Sequence, residues 1–212
     1  MSILDKFIKL KENVFLYNKK ATIIAVTKTF SLDIIEPLIT YGHKDFGENR
    51  VKEAKDKWSA IRKLNNNINL HMIGNLQSNK AEEAVEVFDF IHSLDNENLA
   101  NKLLAAEKKL DKKLKYFIQV NISQEPQKSG IDFFRLGTFV NYCLFDLKLN
   151  VIGLMCIPPI SNNSTFYFQK LKELADLNKL KNLSMGMSSD YAQALSAGSN
   201  YIRVGSNIFG NR

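Results

Sequence analysis

Thr22-Ile23-Ile24-Ala25-Val26 is a short apolar run that ends at once in the polar exit Thr27-Lys28-Thr29, and this pairing decides how the rest of the chain reads. The same pairing recurs at His43-Lys44-Asp45-Phe46, Asn69-Leu70-His71-Met72-Ile73, Phe90-Ile91-His92-Ser93 and Tyr116-Phe117-Ile118-Gln119-Val120. It returns at Val151-Ile152-Gly153-Leu154-Met155, Leu183-Ser184-Met185 and Tyr201-Ile202-Arg203-Val204, which makes eight predicted strands. Runs such as Phe117 to Val120 show little alternation, as expected of parallel strands buried on both faces. Between the runs lie stretches of helical period: Leu99, Leu103, Ala106 and Leu110 in one, Phe168, Leu171, Leu174 and Leu177 in another.

Strand–helix alternation implies parallel strands joined by right-handed crossovers. Eight units predict a closed (β/α)8 barrel, with an open doubly wound sheet as the main competitor. At about 26 residues per unit the barrel would be minimal, against roughly 250 residues for a typical one. A single barrel domain over residues 1–212 is therefore expected. Thr27-Lys28-Thr29-Phe30 after the first strand is no glycine-rich dinucleotide loop, which counts against a Rossmann fold. Residues 1–20 read as an extra amphipathic helix with Ile3, Phe7, Leu10 and Val14 on one face. Pro37 falls within a predicted helix and should kink or shorten it.

Composition narrows the function. The chain is 45% hydrophobic and 24% charged, which excludes a disordered chain, a collagen-like repeat and a coiled coil. It has no apolar block of membrane-spanning length and no signal-peptide pattern near Met1, so a cytoplasmic protein is expected. Cys143 and Cys156 cannot form a disulfide framework or a metal cluster alone, and His43, His71 and His92 fall on different strands, so no metal is predicted. The net charge of +7 invites a nucleic-acid reading, but the lysines are dispersed. The densest run, residues 107–115, reads as the solvated face of a helix. The charge would equally suit small anions such as phosphate esters.

In a barrel the chemistry sits at the C-terminal ends of the strands. Lys28 leaves the first strand, where partial burial would favour the neutral, nucleophilic amine. Gly47 would give the second strand a tight exit, and Asn49 offers both a donor and an acceptor. After the seventh run comes Gly186-Met187-Ser188-Ser189-Asp190, with Ser188 or Ser189 as the expected helix N-cap. After the eighth comes Gly205-Ser206-Asn207. Two successive mouths rich in glycine and serine predict a phosphate site. Arg203 and Gly205 point to the same side of the last strand, so Arg203 needs a partner inside the barrel: a ligand, or a carboxylate such as Asp45.

Several further motifs stand in one order: Ala25-Val26-Thr27-Lys28, Phe46-Gly47-Glu48-Asn49, His71-Met72-Ile73-Gly74, Leu76-Gln77-Ser78-Asn79-Lys80 and Lys128-Ser129-Gly130. Gly153-Leu154-Met155, Leu183 to Ser188, Arg203 to Ser206 and Ile208-Phe209-Gly210 complete the series. From Ala25 to Gly210 the chain closely resembles the pyridoxal phosphate homeostasis protein family. The resemblance implies a fold-type III barrel of the alanine racemase kind, with pyridoxal 5'-phosphate held as an aldimine on Lys28. It also implies that Ser188, Gly205 and Ser206 take the phosphate, that Arg203 faces the pyridine nitrogen, and that Asn49 and Met185 adjoin the cofactor. Asn75 replaces a usual proline, Ser206 a common threonine, and Cys156 a more usual threonine or alanine, here read as buried and inert.

The implied role is a carrier or buffer of pyridoxal phosphate, with apo enzymes as recipients, no nucleic-acid or membrane partner, and a monomeric state. An arginine cannot accept the pyridine proton, so the electron sink would be weak, which suits storage or racemisation better than transamination. The alternative is a racemase. Related racemases take an opposing tyrosine from a second domain, for which Gly210, Asn211 and Arg212 leave no room. Tyr41, read as a turn residue, and His92, read as a strand-end residue, are then the barrel-internal acid–base candidates. A cofactor-free aldolase using Lys28 is a further rival, and Lys80 or Lys128 could hold a second cofactor transiently.

Overall fold

The computed structural model describes residues 1–64, 67–159 and 163–210. The strands are β1 (Thr22–Val26), β2 (Asp45–Glu48), β3 (Asn69–Met72), β4 (Phe90–Leu94), β5 (Lys115–Gln119), β6 (Val151–Met155), β7 (Asn182–Ser184) and β8 (Tyr201–Val204). The helices are α1 (Ile3–Tyr17), α2 (Leu32–Thr40), α3 (Val51–Leu64), α4 (Ala81–Val87), α5 (Glu97–Leu110), α6 (Phe133–Asn141), α7 (Ser164–Leu177), α8 (Tyr191–Ser196) and α9 (Ser206–Phe209). All neighbouring strands are parallel and run in sequence order, and β8 closes on β1 with Ile24 opposite Arg203. The expected (β/α)8 barrel is therefore the fold.

The helices lie outside because their apolar faces match the outward side of the strands. Phe46 on β2 packs on Trp58 of α3 at 4.8 Å between ring centres, and both are fully buried. Burying a side chain of this size stabilises the barrel by about 1.5–3 kcal/mol. Helix α1 starts with a capping box: Ser2 Oγ accepts from Asp5 N–H at 3.1 Å, and Asp5 Oδ2 accepts from Ser2 N–H at 2.9 Å. Its buried face is Phe7, Leu10 and Val14. Because α9 is a single turn, α1 fills the outer slot against α2, α8 and α9.

Several local expectations need correction. Strand β2 sits two residues later than the apolar run, because His43 packs against Phe7 outside the sheet while Gly47 and Glu48 complete the strand. Gly47 is no exit: a Cβ there would lie 2.8 Å from Ile24 Cγ2 and 2.9 Å from Ile73 Cδ1, so the lumen has no room for one. Leu177 is exposed, and Ala175 takes the buried position on α7. The charged run 107–115 is not one solvated face. Its helix stops at Leu110, and Glu107 is buried, accepting from Leu114 N–H at 2.7 Å and Tyr116 O–H at 2.9 Å. Pro37 lies inside α2, which is nine residues long.

Candidate functional site

The exits of β1, β2, β3, β6, β7 and β8 surround a cleft of about 690 Å³ at the C-terminal end of the barrel. Lys28, Asn49, Ser188, Arg203, Gly205 and Ser206 all line it. Met185 does not: it is fully buried in the core beneath. Val26, Phe30, Ile73, Ile157 and Met187 supply apolar walls. These residues escaped sequence reading because apolar residues at a strand's end or up to four places past it look like ordinary core. Strand-exit position was the one signal that could have found them.

The β1 exit is held from several sides. Thr27 N–H donates to Gly47 O at 2.9 Å, and Lys57 Nζ donates to Thr27 O at 2.8 Å and to the buried Glu48 Oε1 at 2.9 Å. The same Glu48 oxygen accepts from Thr27 Oγ1 at 2.7 Å and Trp58 Nε1 at 3.0 Å. Thr29, whose N–H bonds to Glu53, has φ +66°, a left-handed conformation that a β-branched residue rarely takes. Such strain costs on the order of 1–3 kcal/mol and persists only where the surroundings impose it. The half-buried Lys28 is thus set on the cleft wall by a rigid turn. Asn49 is fixed by contact, since a Cβ on Gly74 would sit 2.8 Å from its Cα.

The adjoining wall is tied across two loops. Ser188 Oγ accepts from Gly205 N–H at 3.3 Å, and Asn207 Nδ2 donates to Ser188 O at 3.0 Å. Neither serine expected to cap α8 does so. Asp190 holds that position, and its Oδ1 accepts from Met187 N–H at 2.6 Å. Gly186, at φ +94°, makes the turn, and a Cβ there would lie 2.5 Å from that of Ala194. Ser206 and Asn207 begin α9, where backbone N–H groups have no acceptor within the helix.

Arg203 is 4% exposed and forms the floor of the cleft. Its Nη1 donates to Ser184 Oγ at 2.7 Å and its Nη2 to Cys156 O at 2.9 Å, so Asp45 is not its partner. Burial pulls its pKa below the ordinary value, yet a guanidinium stays protonated. Burial pushes the Cys156 thiol up to about 12, which makes it inert. The racemase candidates lie elsewhere. Tyr41 is exposed at the end of α2, on the far side of the barrel. His92 lies within β4 rather than at its end, fully buried. Lys80 pairs with Glu83 and Lys128 with Glu125, both at 2.7 Å, away from the cleft lining. Among the described residues no cluster of metal-binding side chains occurs, and no helix is long and apolar enough to cross a membrane.

The described lining contains two cations and no carboxylate, with hydroxyls and backbone N–H groups at one end and a lysine beside them. That donor set fits a phosphorylated aldehyde such as pyridoxal phosphate: an anion cradle, an amine, apolar plates for a ring, and a donor beneath it.

The chain is similar to known proteins. The model of the alanine racemase N-terminal domain matches residues 8–212. The pyridoxal phosphate homeostasis protein of Synechocystis sp. is 38% identical over 199 residues, covering 90% of this chain and 91% of that one. PipY of Synechococcus elongatus, solved with pyridoxal phosphate bound, superposes with a TM-score of 0.89 at 32% identity, covering 99% of this chain and all of that one. An alanine racemase of Clostridium difficile shares the fold, with a TM-score of 0.76 at 12% identity; this chain covers 56% of it.

Proposed function

Because the chain belongs to the pyridoxal phosphate homeostasis protein family, we propose that it binds pyridoxal 5'-phosphate reversibly and serves as an intracellular carrier or buffer, with little or no turnover. The observation that carries this reading is the single cleft in which Lys28, Arg203 and the Ser188–Gly205–Ser206 loops meet. Bound there, the cofactor supplies a reactive aldehyde and an electron-withdrawing ring. Lys28 presents its amine to the aldehyde. Ser188, Ser206 and the Gly205 backbone hold the phosphate. Arg203 would donate to the ring nitrogen, Asn49 would adjoin the ring, and Met185 supports the floor from the core.

The same residues argue for holding over converting. Arg203 cannot hand a proton to the ring nitrogen, so the ring is a weak electron sink, which disfavours transamination. Racemisation needs an acid–base group on each face. Apart from Lys28, the described cleft lining holds no Tyr, His, Asp, Glu or Cys. Recipient apo enzymes and a monomeric state complete the proposal.

Purified protein incubated with pyridoxal phosphate is expected to form a yellow, borohydride-reducible adduct in one-to-one ratio, and Lys28→Ala to form none. An adduct of equal stoichiometry in Lys28→Ala would overturn the assignment. Steady alanine racemisation abolished by that substitution would replace the carrier with an enzyme.

A further inference from the structure

Where barrel interiors are usually filled by branched apolar residues, this one holds polar side chains joined end to end. Arg203 Nη1 donates to Ser184 Oγ at 2.7 Å, and Ser184 Oγ lies 2.8 Å from His92 Nδ1. His92 Nε2 lies 3.0 Å from His71 Nδ1, and His71 Nε2 lies 3.1 Å from Asp45 Oδ1. Strands β8, β7, β4, β3 and β2 contribute one member each. The chain crosses the lumen from the cleft floor to the opposite end, where Asp45 borders a recess with Lys11, Tyr41 and His43. Ser184, His92 and His71 are fully buried.

The charged ends fix the protons between them. A guanidinium only donates, so Arg203 occupies a lone pair of Ser184. A carboxylate only accepts, so His71 carries its proton on Nε2. Burial by itself would raise the Asp45 carboxyl, but His71 and Asn69 outweigh it and hold the group below its ordinary value, ionised. The His71 Nδ1 is then the acceptor for His92 Nε2–H, 3.0 Å away. Burial, with the Arg203 charge nearby, holds the His92 ring well below the ordinary histidine value and so neutral. Its Nδ1 is left as an acceptor, and the Ser184 hydroxyl is the donor that meets it. Every bond points one way, and no donor or acceptor along the line is left over.

We propose that Asp45, His71, His92 and Ser184 are positioning residues that form an oriented hydrogen-bond wire, placing the counter-charge of Arg203 at the far end of the barrel and leaving its guanidinium an undivided cation toward the cleft. A carboxylate set directly on Arg203 would share its N–H groups and its charge with any ligand. The other acid on that side, Asp190, is engaged by Met187 N–H. The consequence for the cleft rests on Arg203 facing the ring nitrogen, whereas the wire itself needs no ligand.

Histidine 15N NMR of the full chain without cofactor tests it. The expected result is a proton on Nε2 and a pyridine-type Nδ1 for both His71 and His92. Asp45→Asn puts an amide that can donate or accept at the end of the wire. It is expected to turn His92 into a mixture of tautomers, although Asp45 does not touch that ring. Ser184→Ala should move the His92 Nδ1 resonance and Ser184→Thr should restore it. A proton on Nδ1 of either ring in the unaltered protein, or an Asp45→Asn effect confined to His71, would overturn the wire. Lys28→Ala should leave both ring patterns unchanged, so loss of the adduct and loss of the wire are read separately.

Discussion

The lumen of the barrel and its C-terminal mouth are both polar, but in opposite ways. In the lumen His71, His92, Ser184 and Arg203 are buried and bonded to one another. Aromatic rings press on them: Phe90 stacks on His71 at 4.2 Å and Phe117 on His92 at 4.4 Å. In the mouth Lys28, Ser188 and Gly205 are half-buried and Ser206 and Asn207 exposed, on loops after the strands. A buried polar group must find its partner within the protein, whereas one at an open mouth can await a ligand. The lumen sets geometry, and the mouth uses it.

Substitutions should separate the two regions. The largest effect is expected in the lumen. Phe117→Ala removes a fully buried ring from beneath His92 and Tyr201 and should cost about 3–5 kcal/mol of unfolding free energy, measured by denaturant titration. A loss below about 1 kcal/mol would mean the lumen is loosely packed. The mouth should behave in the reverse sense. Ser188→Ala with Ser206→Ala should leave stability within about 1 kcal/mol, at roughly 0.5 kcal/mol per surface change. It should speed release of pyridoxal phosphate roughly tenfold, equivalent to about 1.4 kcal/mol. An unchanged release rate would put the phosphate elsewhere.

Acid sensitivity tests the buried histidines together. Burial holds His43 and His92 below the ordinary histidine value, with Asp45 partly offsetting it at His43. The unfolded chain takes up protons near pH 6.5 that the folded chain refuses, so stability is complete above that pH and falls below it. Each histidine contributes at most about 1.4 kcal/mol per pH unit. Thermal unfolding followed from pH 7 to pH 5 should show the decline. A flat profile would mean that both rings protonate in place.

The sequence was most legible where periodicity carries the information. Eight strand–exit pairs predicted the barrel, and the order of its motifs predicted the cleft wall, because a site at strand ends inherits the regularity of the strands. Legibility failed where the partner lies far along the chain. Alternation places His92 on one face of β4, but nothing nearby says that His71 and Ser184 meet it. Ser188 looked like a cap from its neighbours, yet its hydroxyl serves Gly205, seventeen residues on. Glu107 looked solvated until Tyr116 closed over it. Gly47 looked like a turn because its missing side chain answers to Ile24 on β1 and Ile73 just past β3.

The central claim is that one amine on the wall of the C-terminal cleft takes the cofactor. Mass spectrometry of the borohydride-reduced, protease-digested protein reads the modified lysine directly. The account predicts a pyridoxyl phosphate group on Lys28 at near-full occupancy. Modification centred on Lys80 or Lys128, or spread over surface lysines with Lys28 intact, would contradict it.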